Sequence, residues 1–413
     1  MNFLRLDNRN VQAFIKYSPY VFFIGVISRT FPVINLIYYL AVVILVLNTS
    51  ILVFYHKEYH IKFDKLLIIF LFPIYTAISS FWSLYPAVTL QRSVYLILLF
   101  SGIFSMILLS KNILIPNTLK FLFPANLFVI LISFFSLITG IPDNSWSGGN
   151  GLGFMGLAGH QNTLASAILF TLPGLLVYKI KDKGDKSNVT SILYFLLFTF
   201  NFLLILLTYS RASILALVIG VVTYLLLTKS KKIIIIIIAL TAGLLILFLT
   251  IQPLNNLLNN FLSKDGGNIL DRRIILWEPS YEAAKKGGLS GLGYGVSAPE
   301  IKTPVLTGSH YIDGRYIREK GNSVFALIEE TGLIGLILFL IPLALLLRQG
   351  WMNAWMHENY KHASTQSFNH SILIASLVAF LLHAQFEAWW VGPGSVQFPI
   401  YLFLMMMASE SVD

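Results

Sequence analysis

Residues 33–55 read VINLIYYLAVVILVLNTSILVFY, a run without a single Asp, Glu, Lys or Arg. A helix rises about 1.5 Å per residue, so roughly 20 such residues cross a hydrocarbon layer about 30 Å thick. In lipid no water meets the backbone, so one apolar run satisfies its own N–H and C=O groups only as a helix. The same pattern recurs along the chain. Candidate spans fall at 13–28, 33–55, 65–82, 93–110, 119–140, 162–178, 190–208, 212–228, 233–252, 324–347, 371–390 and 394–409. The first is short and carries Lys16 and Pro19, yet no small-residue cleavage site follows it, so a retained span is expected.

Composition agrees with these runs. Of 413 residues 56% are hydrophobic and 12% charged, and the mean hydropathy is +0.75. A water-facing globule cannot bury that much apolar surface. The expected class is therefore all-α: a polytopic bundle of about 12 spans, divided as residues 1–252, a long outer loop at 253–322, and 323–413. No cysteine is present, which excludes thiol catalysis, disulfides and cysteine metal sites.

The net charge of +10 invites a nucleic-acid reading until the bases are located. With the N-terminus in the cytoplasm, seventeen Lys and Arg fall on cytoplasmic segments, from Arg5 to Lys361. Only Arg29, Arg92 and Arg211 fall in short outer loops, and nine lie in 253–322. That is the positive-inside bias of a membrane protein, and it makes nucleic acid an unlikely partner class. Within the long loop, Ile274, Trp277 and Tyr281 stand at helical spacing in 271–286, and the glycine-rich stretch 287–299 reads as loop.

Ionisable residues are scarce in the spans. Those noted gather at the outer ends of helices: Arg92, Arg211, His383 and Glu387. Intramembrane charge costs about 2.5–3.5 kcal/mol on insertion scales, which makes such residues functional candidates. His383 and Glu387 are four apart, so on one helix they would share a face. Arginine suits an anionic, lipid-linked substrate, because its fork matches phosphate oxygens and stays charged.

Several short motifs in order resemble the O-antigen ligase and O-antigen polymerase superfamily of bacterial inner-membrane enzymes. These are Ser80-Phe81-Trp82-Ser83-Leu84-Tyr85-Pro86 with Arg92, Gly159-His160-Gln161-Asn162, Ser210-Arg211-Ala212-Ser213, Arg273 through Trp277 with Gly291, Gly293 and Gly295, and Asn322 with Gly332 and Gly335. The resemblance implies a metal-independent, inverting glycosyltransferase without a cofactor. Its donor would be a glycan on undecaprenyl diphosphate. The acceptor would be a hydroxyl of a second glycan or of the lipid A core, in lipopolysaccharide or exopolysaccharide synthesis. Both termini would be cytoplasmic and the site would face the periplasm. Arg211 and Arg273, supported by Arg92, would clamp the departing diphosphate, with Trp277, His160, Asn162, Asn322, His383 and Glu387 around them. The family usually has His-Asn where this chain has Gly321-Asn322, so the base must come from elsewhere. His310 and Glu319 rank first, ahead of His160 and Glu387, and restoring the pattern with Gly321→His is expected to be tolerated. The non-enzymatic alternative is a transporter or flippase of lipid-linked glycans, which would place polar groups at the bilayer midplane.

Overall fold

The computed structural model describes residues 9–55, 63–112, 118–142, 153–181, 188–228, 271–301, 310–312, 315–359 and 365–410. The span expected at 233–252 lies outside them. The described helices are α1 (Arg9–Ser28), α2 (Tyr38–Tyr55), α3 (Phe63–Ile78), α4 (Pro86–Asn112), α5 (Leu122–Thr139) and α6 (Gln161–Lys181). They continue with α7 (Asn188–Leu207), α8 (Arg211–Leu227), α9 (Asp271–Gly287), α10 (Ser323–Asn359), α11 (Thr365–His383) and α12 (Gln397–Glu410). Among the described residues, five helical segments are long and apolar enough to cross a membrane, and six shorter apolar helices coincide with other expected spans. The protein is a helical, multi-pass membrane protein. The amphipathic helix expected at 271–286 is α9, packed on α10. A small antiparallel ribbon, β1 (His310–Ile312) with β2 (Arg315–Ile317), was not legible in the sequence.

Small residues let the helices approach closely, as expected where lipid supplies no hydrophobic drive for association. A Cβ at Gly174 of α6 would lie 2.5 Å from the backbone nitrogen of Phe123 in α5. Polar side chains link the same helices: Asn126 donates to Thr171 at 3.0 Å and to Asn201 at 3.0 Å, joining α5, α6 and α7. The core around Phe22, Phe72, Phe100, Phe170 and Phe380 is fully buried.

Two features of the backbone shape the outer end of the bundle. The first is a break in α10 at Gly332, where φ is +69° and ψ −176°. The break frees backbone groups, and the glycine-rich loop after α9 takes them up. Leu292 N–H donates to the Glu329 carbonyl and Gly293 N–H to that of Glu330, both at 3.0 Å. In return Leu333 N–H donates to Gly288 and Ile334 N–H to Leu289. Irregular backbone at membrane depth is tolerated only when its polar groups are met in this way.

The second is the early end of α11. The span expected to run to 390, with His383 and Glu387 on one face, stops at His383 and turns through Ala384–Glu387. The cause is competition for carbonyls. Ser323 N–H takes that of Ala384 at 2.9 Å and Asn322 Nδ2 that of Gln385 at 3.0 Å. Arg273 Nη1 takes that of Phe386 at 2.6 Å and Ser323 Oγ that of Glu387 at 2.7 Å. The shared-face reading of His383 and Glu387 is thereby overturned.

The break also makes a prediction. A Cβ at Gly332 would fall on the Leu289 carbonyl, at a φ that other residues rarely adopt. Gly332→Ala is therefore expected to lower stability by about 2 kcal/mol or more, read as thermal unfolding of the purified protein in detergent. An unchanged midpoint would mean that the exchange of hydrogen bonds between loop and helix does not hold this region.

Candidate functional site

Asn322 opens α10 as its cap: its Oδ1 accepts from the N–H groups of Val324 at 2.8 Å and Phe325 at 3.1 Å. The turn that its Nδ2 helps to hold forms one wall of a cavity of about 610 Å³. Arg92 of α4, Arg273 of α9, Glu319, and the turn residues Phe386 and Glu387 line it. His160 and Asn162, from the head of α6, line it too. Six of the residues expected from the sequence thus meet in one chamber: Arg92, His160, Asn162, Arg273, Glu319 and Glu387.

The chamber is built tightly. Arg273 lies with its guanidinium 5.8 Å from the centre of the Phe386 ring, and that ring sits 6.0 Å from Trp277. Trp277 itself donates from Nε1 to the Gly321 carbonyl at 3.2 Å. Trp277 therefore orients Arg273 and the turn and is not itself in the wall. Gly295 has φ +84°, and a Cβ there would strike the side chain of Arg92. The glycine is what lets the loop pass over that arginine. His160 Nδ1 accepts from Asn162 N–H at 3.2 Å, which commits that ring nitrogen to capping α6.

The electrostatics set one arginine, Arg273, against two acids. Burial pulls the Arg273 guanidinium below its ordinary value, while Glu387 and Glu319 push it back up. For Glu387, burial raises the carboxyl to about 7, with Arg273 opposing and Glu319 adding to the rise. Glu319 is raised by partial desolvation and lowered by Arg273. A carboxyl that titrates near neutrality beside a fixed cation can give or take a proton at physiological pH.

Other expected residues lie elsewhere. Arg211 opens α8 and is not among the residues lining the cavity. His383 is fully buried. Its Nδ1 accepts from Trp389 Nε1 at 3.2 Å, and its Nε2 meets Ser213 Oγ at 3.3 Å. Indole N–H only donates, so Nδ1 is the acceptor and Nε2 carries the proton towards Ser213. His383 is thus a brace between α8 and the turn. His310 lies on β1, and the position of its side chain is outside the described structure.

Four charged residues were missed. Arg318 Nη2 and Lys320 Nζ approach Glu329 Oε2 at 2.5 and 3.2 Å, and Lys320 also reaches Glu330 Oε1 at 2.6 Å. Glu329 Oε1 accepts from Ala298 N–H and Glu330 Oε2 from Gly295 N–H. The expectation that charge within the spans is confined to Arg92, Arg211, His383 and Glu387 is therefore wrong, because Glu329 and Glu330 both sit in α10. Two adjacent acids in an apolar run were the available signal.

The position that departs from the family pattern is also closed. A Cβ at Gly321 would lie 2.7 Å from Leu276 Cβ. Gly321→His is thus expected to displace α9 and reduce transfer, against the tolerance that the sequence alone suggested. Adding Leu276→Ala should recover most of the loss in a transfer assay. Full activity of the single variant would show that α9 yields without cost.

No curated protein matches the chain. Residues 194–340 match the family model described as O-antigen ligase. That segment carries Arg211, Arg273, Trp277, Asn322 and the Gly332 break, whereas Arg92, His160 and Glu387 lie outside it. Over residues 194–340, then, the chain is similar to the O-antigen ligase family.

Proposed function

We propose that this protein transfers a glycan from undecaprenyl diphosphate to an acceptor hydroxyl at the periplasmic face of a bacterial inner membrane, with inversion at the anomeric carbon and without a metal or cofactor. The acceptor is a second lipid-linked glycan or the lipid A core, and the twelve-span topology with both termini cytoplasmic belongs to the same reading. The observation that carries it is one chamber holding Arg92 and Arg273 opposite a carboxyl, Glu387, poised near neutrality.

In the proposed reaction the acceptor oxygen attacks the anomeric carbon as the bond to the carrier's diphosphate breaks. Arg273 and Arg92 stabilise the charge that develops on the departing diphosphate, with Arg211 assigned to the same carrier by resemblance. Fixed cations aimed at developing charge contribute about 10²–10³ in rate each. Glu387 takes the hydroxyl proton, worth about 10²–10⁴. Glu319 and His160 share the chamber as neighbours of that base. The vacancy at Gly321 thus need not leave the nucleophile unassisted.

A transporter reading draws on one observation, the interrupted α10, because broken helices hold substrates in many transporters. Here the N–H groups after the break are already spent on Gly288 and Leu289. That favours a structural break over a transport site.

Arg273→Ala is expected to lower turnover of the lipid-linked glycan by about 10²–10³-fold in reconstituted membranes. Arg211→Lys should also impair it, since Lys loses the bidentate fork. The pH dependence has a definite sign. The base works when ionised, so the rate should rise with pH through about 7, and Glu387→Gln should remove that limb of the profile. Stability should move the other way. The folded carboxyl holds its proton up to about 7 and the unfolded one to 4.5, so stability present below the lower value is lost as pH rises through the higher. A Glu387→Gln enzyme with an unaltered pH–rate profile would take Glu387 out of the mechanism.

A further inference from the structure

The charged residues of the chamber come from α4, from α9, from the segment before α10 and α10 itself, and from the turn after α11. Another stretch of its wall is built from the head of α6 and the segment that leads into α12. Asn162, Thr163 and Ser395 line the chamber there, each half-buried, beside the more enclosed Gln397. Gln397 Nε2 donates to Ser166 Oγ at 2.8 Å, which joins the two segments. Asn162 and Thr163 precede Ser166 by four and three positions, so all three share the face of α6 that is turned towards α12. No Asp, Glu, Lys or Arg of either segment lines the chamber.

These side chains keep unused hydrogen-bonding capacity. The first turn of α6 is met by His160, whose Nδ1 accepts from Asn162 N–H at 3.2 Å and whose carbonyl accepts from Leu164 N–H at 3.2 Å. The Asn162 amide is therefore not needed as a cap. Among the described residues, neither that amide nor the Thr163 hydroxyl has a hydrogen-bond partner. Ser395 Oγ accepts from Phe398 N–H at 3.1 Å at the start of α12, which leaves its own O–H to donate. Half-buried groups on a cavity wall stay open to whatever fills the chamber.

An amide and two hydroxyls both give and accept hydrogen bonds, but they carry no charge with which to hold an anion. Their complement is an uncharged ligand part dense in hydroxyl groups, which is a sugar ring. In the glycan-transfer reading the diphosphate lies on Arg92 and Arg273, and the sugar is bonded directly to it. We propose that Asn162, Thr163 and Ser395 form the subsite for the carrier-linked sugar of the donor, with Asn162 and Thr163 as specificity-determining residues. This rests on the glycan-transfer reading and separates the groups that recognise the sugar from those that hold the phosphates. A site built to hydrogen-bond a substrate group discriminates strongly against ligands that lack it, because its own polar atoms are then left unpaired.

The test compares a carrier with and without sugar on the full-length protein in lipid nanodiscs. The donor is the undecaprenyl-diphosphate-linked oligosaccharide extracted from cells that express the protein, and sugar-free undecaprenyl diphosphate is the competitor. Asn162→Ala removes the amide and favours the helix, and Thr163→Val replaces the hydroxyl by a methyl group. For Asn162→Ala we expect kcat/KM for the donor to fall about tenfold, with the inhibition constant of the sugar-free carrier unchanged within about twofold. Thr163→Val should show the same asymmetry, whereas Thr163→Ser, which keeps the hydroxyl, should stay within about twofold of the wild type for both ligands. Equal weakening of donor and carrier, or no change in either, overturns the subsite while the transfer reading stands. Should Asn162→Ala fail to fold, the contrast of Thr163→Val with Thr163→Ser carries the same comparison. If sugar-free carrier does not compete with donor even in the wild type, the diphosphate clamp and the transfer reading fail, and the subsite falls with them.

Discussion

Four consecutive carbonyls, those of Ala384, Gln385, Phe386 and Glu387, hold the outer end of this bundle together. α11 meets its own last carbonyls with the N–H groups of Ala384, Gln385 and Phe386, so the four carbonyls beyond it need donors from elsewhere. Here they come from Ser323, Asn322 and Arg273, which belong to the start of α10 and to α9. One set of hydrogen bonds therefore ends α11, starts α10 and anchors the helix that carries Arg273. The same turn delivers Glu387 to the chamber opposite that arginine. His383 braces the arrangement from below, tying α8 through Ser213 to Trp389. Displacement of any one of these segments would move the others.

A second constraint couples the loop to the membrane helix. Glu329 and Glu330 are the charged residues of the apolar stretch Ser323–Leu345 of α10, and burying two bare carboxylates would be prohibitive. Arg318 and Lys320, from the segment just before α10, supply the counter-charges. The N–H groups of Gly295 and Ala298 occupy the remaining carboxylate oxygens. The loop consequently serves as part of the interior at this depth. Gly332 interrupts α10 just beyond the two acids, and the loop backbone enters the gap, so charge pairing and backbone pairing secure the same contact.

This arrangement gives the chamber two kinds of wall. On one side Arg92 and Arg273 bring positive charge, Arg92 acting on Glu330 and Arg273 on Glu387 and Glu319. On another, Lys320 is balanced by Glu329 and Glu330, and the Arg318 side chain is enclosed against Glu329. Glu387 lies beside Arg273, where burial and neighbouring charge act in opposition on its proton.

Sequence alone shows that the chain forms apolar helices, because runs without charge have no other low-energy state in lipid, and it located eleven of them, with the bounds of α4, α10 and α11 off by seven residues or more at one end. It singled out Arg92 and Glu387 by charge against an apolar background, whereas Arg273, His160, Asn162 and Glu319 were reached through the family resemblance. It misjudged α11 because nothing in residues 371–390 signals the end of the helix. The donors that stop it lie more than 60 positions away, in Asn322 and Ser323, and further still in Arg273. It passed over Glu329 and Glu330 because their partners, too, are set by folding of the loop. Folding alone settles that Leu276 fills the space at Gly321, that His383 braces rather than lines the chamber, and that Arg318 and Lys320 pair with Glu329 and Glu330. Periodicity and composition are local properties, whereas hydrogen-bond competition and charge pairing depend on segments that meet only after the chain has folded.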